Sequence, residues 1–210
     1  MIYKTIFPVF TKKNTCEFNV WAPKAESVHL VFEGENKKHS LEKQDFYYWS
    51  VTLENISPGT RYKYQLDEDK IFPDPASLSQ PAGVHEASEL IDLSNFEWTD
   101  NNWTNIPLKE MIQYELHTGT FTPEGTFEGI RKKLKYFKEL GINTIEILPV
   151  AQFSGHRNWG YDGVYPFAVQ NSYGGAHELM ELVNECHKNG IAVILDVVYN
   201  HFGPEGNYVG

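Results

Sequence analysis

The sequence predicts two structural classes in succession, an all-β sandwich followed by a parallel β-α-β-α-β unit. Three observations carry this. Apolar residues alternate with polar ones from residue 16 to about 66, the period of half-buried strands. From residue 127 onward they recur at every third and fourth position, the period of an amphipathic helix. Around these helical stretches stand short runs that are apolar throughout, as strands covered on both faces are.

In the first part, Phe18 and Val20 open the alternation, Val28, Leu30 and Phe32 continue it, and Val51 and Leu53, then Tyr62, Tyr64 and Leu66, complete it. Pro23-Lys24, Gly34-Glu35-Asn36 and Pro58-Gly59 separate the runs with turn formers. Short strands at this spacing predict an immunoglobulin-like β-sandwich. Residues 67–81 are rich in Asp and Pro and read as an irregular connection. A second polar stretch, TDNNWTNIP at 99–107, marks a boundary. The expected organisation is a sandwich over 1–98, a linker over 99–110 and the α/β part over 111–210.

In the second part, MIQYELH at 111–117 reads as a strand. Phe127, Ile130, Leu134, Phe137 and Leu140 form the apolar face of one helix closed by Gly141, and Ile142 to Val150 follows as a continuous strand. Leu179, Leu182, Val183 and Cys186 share a face of a second helix that Asn189-Gly190 stops, and Ile191 to Val198 is the third strand. Strands joined through helices lie parallel with right-handed crossovers. Ligands of such folds bind at the carboxyl ends of the strands, so chemistry is expected in the loops after His117, Leu148 and Val198.

Composition narrows the function classes. A net charge of −10, with no basic cluster beyond Arg131-Lys132-Lys133, disfavours nucleic acid. The start MIYKTIFPVF lacks a signal-peptide pattern and no apolar run nears a membrane span, so a soluble, cytoplasmic protein without a membrane partner is expected. Cys16 and Cys186 lie far apart without CxxC spacing, which points to reduced, buried thiols. The 5 Trp, 12 Tyr and 13 Phe suit sugar faces and cores equally.

Two short stretches carry chemistry. In NWGYDGVYPF, residues 158–167, Gly160 and Gly163 permit tight turns, and Trp159, Tyr161 and Tyr165 set rings beside Asp162. Such a surface suits a pyranose, though a loop packing its own aromatics explains it as well. In DVVYNH, residues 196–201, alternation puts Asp196 and Val198 on one face, so the carboxylate points inward and must meet an Arg, a donor network or a metal. Asn200 and His201 follow at the strand's end. A lone His there is usually a satisfied surface residue, but two polar clusters on one rim favour a site.

DVVYNH resembles the motif ending barrel strand three in the α-amylase clan of glycoside hydrolases, and WGYDGVY resembles that clan's motif after strand two. FNVWAPKAESVHLV, GTRYKYQL and PDPAS are similar to the N-terminal module of its glucan-branching, debranching and trehalose-releasing members. YELHTGTFTPEGTF and AQFSGHRNWGYDGVYPFAVQNSYGG look most like the maltooligosyltrehalose trehalohydrolases, with glucan branching enzymes next.

The resemblance implies the first three strands and two helices of an incomplete (β/α)8 TIM barrel and a retaining hydrolase acting on an α-1,4-glucan or maltooligosyltrehalose. It implies that Tyr161 stacks on the sugar at the cleavage subsite, with Trp159 and Asp162 beside it. His201 would bond the hydroxymethyl group, and Asp196 would hold an Arg. The reacting carboxylates would follow strands four, five and seven, which residues 111–210 do not reach, a full barrel taking about 250 residues. No catalytic residue, and no cleavage by this chain alone, is therefore expected. Asn200 matches a calcium-ligating position, but the surrounding calcium loop is not recognisable, so neither metal nor cofactor is expected. On the sandwich, Trp21, Tyr47, Tyr48 and Trp49 are either a glucan platform or core. An uncovered apolar face on the partial barrel predicts self-association.

Overall fold

The alternating residues of the first part fold into two antiparallel sheets. In chain order the strands are β1 (Val9–Lys12), β2 (Thr15–Trp21), β3 (Val28–Phe32), β4 (Lys38–Ser40), β5 (Glu42–Lys43), β6 (Tyr48–Glu54), β7 (Arg61–Leu66), β8 (Lys70–Phe72) and β9 (Ser88–Glu89). One sheet runs β1-β2-β6-β5 and the other β4-β3-β7-β8, with β9 added to β7. Phe18, Val20, Leu30, Phe32, Tyr62 and Tyr64 are buried in one core. Phe18 meets Phe32 and Tyr62 edge-on, at centroid distances of 5.9 and 5.4 Å, the geometry aromatic pairs prefer.

This is a computed structural model, describing residues 5–68 and 70–209. Its contacts divide the chain into one unit reaching Asp92, joined by Tyr208 and Val209, and a second spanning Leu93–Asn207.

The stretch 67–81 is not irregular throughout. β8 lies within it and pairs with β7, Tyr64 opposite Phe72. A three-residue edge strand ending before Pro73 loses no ladder bond to the proline, which is why so Pro-rich a segment can join a sheet. Beyond it, Asp74 is wholly buried. The Tyr62 hydroxyl donates to its Oδ2 at 2.6 Å and the Ala76 N–H to its Oδ1 at 2.8 Å. Burial pushes this carboxyl up to about 7 even though both bonds favour its ionised form.

Of the four sandwich rings, Trp49 is core and donates its indole N–H to the Ala22 carbonyl, and Tyr48 is half-buried. Trp21 and Tyr47 are exposed.

The second unit contains β10 (Gln113–Leu116), α1 (Thr118–Phe121), α2 (Phe127–Arg131), α3 (Leu134–Glu139), β11 (Thr144–Ile147), β12 (Ala151–Gln152), β13 (Tyr165–Val169), α4 (Gly175–Lys188) and β14 (Ala192–Leu195). β10, β11 and β14 form a parallel sheet with Leu116, Ile147 and Leu195 in register. The helix expected over 127–140 is two helices. Thr126 caps α2 through its hydroxyl oxygen, and the Lys133 N–H reaches back only three residues, to Ile130, so the chain tightens before α3 begins. Phe127, Ile130, Leu134 and Phe137 still enter one core, whereas Leu140 is exposed.

The strand expected over Ile142 to Val150 ends at Ile147, and the third ends at Leu195. The loop between them is itself structured, because β12 turns back antiparallel onto β13 and carries residues 153–164 as its tip.

The sheet's two faces differ. Tyr114, Leu116, Ile145, Ile147 and Val193 pack with the helices. The alternate positions put Glu115, Glu146 and Ile194 side by side on the other face, where the Gln113 amide bonds Glu146. The face expected to be apolar therefore carries two carboxylates. Residues 99–103, placed in the expected linker, pack on α4. Thr99 bonds Asn184, Asp100 Oδ2 lies 2.6 Å from His187 Nδ1, and Trp103 stacks on the His187 ring at 4.5 Å. Among the described residues no helix is long and apolar enough to cross a membrane.

Candidate functional site

The loop tips after β11 and β14 meet at Tyr161. Its hydroxyl donates to Asp196 Oδ2 at 3.1 Å, and its carbonyl accepts from His201 Nε2 at 2.8 Å. Asp196, expected to be buried among aliphatic neighbours, is only half-buried, because the strand ends one residue before it. Of the partners expected for it, the one found among the described residues is a donor, the Tyr161 phenol. That bond raises the phenol's pKa above its ordinary value, and the charges of Asp196, Glu115 and Glu146 add to it. Tyr161 therefore stays a neutral hydrogen-bond donor, and 39% of its surface remains open.

Both ring nitrogens of His201 are engaged. With Nε2 donating to Tyr161, Nδ1 is the acceptor, and it takes a bond from the Asn200 amide at 3.1 Å. Asp162 is tied to the loop itself, its carboxylate accepting from Asn158 Nδ2 at 2.7 Å. Trp159 is bound least, with 78% of its surface exposed.

Two glycines make this junction possible. A Cβ on Gly160 would stand 2.2 Å from the Pro149 carbonyl oxygen, and one on Gly203 would stand 2.2 Å from that of Asp162. Gly203 also donates to the Gly163 carbonyl at 3.0 Å, joining the loop after β14 to the loop after β11. A side chain at Gly203 would push the loop after β14 away from the loop after β11, and one at Gly160 would push that loop's tip off its own start at Pro149.

Sequence reasoning marked the loop after His117 but missed the role of His117 itself. Its Nε2 lies 2.8 Å from the Asn158 carbonyl and 3.1 Å from the Tyr173 hydroxyl, and its Nδ1 lies 3.1 Å from Thr120 Oγ1. It ties β10 to the same loop tip. The one available signal was a histidine ending a strand just before Thr-Gly-Thr, a pattern too short to read alone.

The profile of the alpha amylase catalytic domain matches residues 70–209. The chain belongs to the alpha-amylase family. Carbohydrate-binding module 48, the isoamylase N-terminal domain, matches residues 8–82, which accounts for the sandwich. The chain is 55% identical over 192 residues to the malto-oligosyltrehalose trehalohydrolase of Saccharolobus solfataricus, a match covering 91% of this chain and 34% of that protein. It is 34% identical over 205 residues to a 1,4-alpha-glucan branching enzyme of Bacillus cereus, covering 88% and 32%. A crystal structure described as an alpha amylase from Salmonella typhimurium aligns with a TM-score of 0.93 at 37% identity, over 99% of this chain and 35% of that one. The chain thus spans about a third of the length of the curated relatives it matches. Its parallel unit is part of the alpha-amylase barrel, and the Tyr161 junction lies at the strand ends where barrels of this kind bind their ligands.

Proposed function

We propose that this chain supplies part of the sugar-binding rim of a retaining glycoside hydrolase that cleaves the α-1,4 bond of maltooligosyltrehalose and releases trehalose. The observation that carries the reading is the Tyr161 ring, fixed by Asp196 on one side and His201 on the other, with an open face left over. Such a ring suits the apolar face of a glucosyl unit, and the polar groups around it suit its hydroxyls. The higher identity to a trehalohydrolase than to a branching enzyme supports trehalose release over branching.

In this reading Tyr161, Trp159, Asp162 and His201 bind and orient sugar, and Asp196 holds Tyr161. The nucleophile and the acid/base stand on later strands, so the 210-residue chain alone releases no trehalose. The free, buried Cys16 and Cys186 suit a reducing, cytoplasmic setting. The test is a fusion of this chain to the remaining two thirds of the Saccharolobus solfataricus relative. Trehalose release from maltooligosyltrehalose by the fusion, and none by the chain alone, is expected. New α-1,6 branches in amylose without trehalose would replace this reading with the branching one.

A specific observation also favours glucan binding by the sandwich. Trp21, Phe46 and Tyr47 expose 56%, 75% and 55% of their surfaces, and the Trp21 indole donates to the Phe46 carbonyl at 3.2 Å. Retarded migration of the chain in amylose-containing gels is expected, with Trp21→Ala weakening it. Retardation unchanged in Trp21→Ala would remove this role.

A further inference from the structure

Two wholly buried glutamines stand where the β12–β13 hairpin opens into the loop that carries Tyr161. Gln152 ends β12 and Gln170 follows β13. Glutamine is seldom so deep in a protein, because a buried amide is costly unless its groups are bonded. Both amides here are bonded at oxygen and at nitrogen.

The two side chains cross the hairpin. Gln152 Oε1 accepts from the Asn171 N–H at 2.9 Å, and its Nε2 donates to the Phe153 carbonyl at 3.0 Å. Gln170 Oε1 accepts from the Phe153 N–H and its Nε2 donates to the Gly155 carbonyl, both at 3.0 Å. These two backbone groups converge on one amide because the chain bends there, with Gly155 at φ 73°. Gln170 thus clasps the bend at the start of the loop tip from the far strand. Its Nε2 also faces Ser172 Oγ at 2.9 Å and Asn171 Oδ1 at 3.3 Å. Surrounded by oxygens, that position suits a donor and repels an acceptor.

Three residues beyond the clasped bend, Asn158 Oδ1 accepts from the Gly160 N–H at 2.8 Å, and Tyr161 follows. We infer that Gln170 is a positioning residue for the sugar-binding rim, its side-chain amide fixing the loop tip that presents Tyr161. It touches no sugar itself. Its effect on turnover rests on the reaction proposed above, whereas its hold on the loop does not.

Trypsin digestion of the 210-residue chain tests that hold without sugar. Arg157 is exposed in the tip, two residues past Gly155, and exposed Lys13 on the sandwich serves as reference. Gln170→Met fills similar space without an amide. Cleavage after Arg157, relative to Lys13, should rise about tenfold at temperatures well below melting. In the fusion enzyme the same variant should lower kcat about tenfold, and should cost nothing further once Tyr161→Ala is in place, since it acts through that ring. Gln170→Glu keeps the acceptor for Phe153 but, once ionised, sets an oxygen where a donor is needed. Burial raises the pKa of such a carboxyl, and its acid form can donate. Its kcat should therefore match that of the unaltered fusion at low pH and fall as the pH rises, a step the unaltered fusion lacks. Should Gln170→Met fail to fold, this step decides.

Unchanged cleavage after Arg157 in folded Gln170→Met, or a Gln170→Glu profile that follows the unaltered fusion's, would overturn the inference. So would an equal loss of kcat with and without the Tyr161 ring. Faster cleavage of the chain, beside a fusion that forms α-1,6 branches instead of trehalose, would support the hold on the loop and overturn only the reaction.

Discussion

Asp74 shows what one buried carboxyl does to the sandwich. Its pKa of about 7 in the folded chain stands above that of an exposed Asp, so the folded state keeps a proton that the unfolded chain releases. The stability it contributes is complete below about pH 4 and is lost as the pH rises through about 7. Asp74→Asn, which cannot ionise, should flatten that decline. The expected result is a melting temperature that falls from pH 5 to pH 8 in the unaltered chain and falls less in the variant, a difference on the order of a few kcal/mol. Tyr161 joins a stacking face to a structural hydroxyl. In the fusion enzyme, Tyr161→Ala should lower kcat about a hundredfold, because stacking on a flattening sugar helps most in the transition state. Tyr161→Phe keeps the ring and loses the bond to Asp196, so kcat should fall only a few-fold. Equal losses of kcat would sink the stacking role.

At the level of elements, the hairpin joining β5 to β6 holds two bulky residues in a costly backbone conformation. Phe46 and Tyr47 both occupy the left-handed region, at φ 57° and 67°, where Asn and Gly are at ease and bulky residues are not. Neither ring recovers that cost by burial. Replacing the pair by Asn-Gly should raise stability by about 1 kcal/mol and abolish retardation in amylose gels. A gain in stability with retardation unchanged would leave the two rings without a ligand.

Across the whole molecule, the patterns legible in the sequence are those set by near neighbours. Period-two alternation placed Phe18, Leu30 and Tyr62 in the sandwich core, and the 127–137 spacing put Phe127, Ile130, Leu134 and Phe137 on one buried face. The break between α2 and α3 leaves that spacing intact and was therefore invisible. Asp74 read as loop because its burial depends on Tyr62, a residue of another strand. His117 read as a strand end because its partners lie 41 and 56 positions away. The two carboxylates on the open sheet face also alter how copies would meet. Stacking that face on itself would oppose Glu115 and Glu146 to their counterparts, whereas Leu195, Val197, Tyr199 and Phe202 are exposed apolar residues at and beyond the end of β14. We propose self-association through this apolar rim. Light scattering should show mass rising with concentration, and Tyr199→Ser with Val197→Ser should reduce it. A constant monomeric mass would refute it.

The bond from Tyr161 to Asp196 also gives the protein its own optical indicator. As alkali is added tyrosines ionise, and the phenolate absorbs where the phenol does not. Tyr161 should colour late, as should Tyr62, Tyr64 and Tyr173, which burial holds back. Because Tyr161 is on the surface, its delay depends mainly on the carboxylate of Asp196. Asp196→Asn should let that one phenol ionise earlier and leave Tyr62, Tyr64 and Tyr173 late, so a spectrophotometer alone reports whether the rim has assembled.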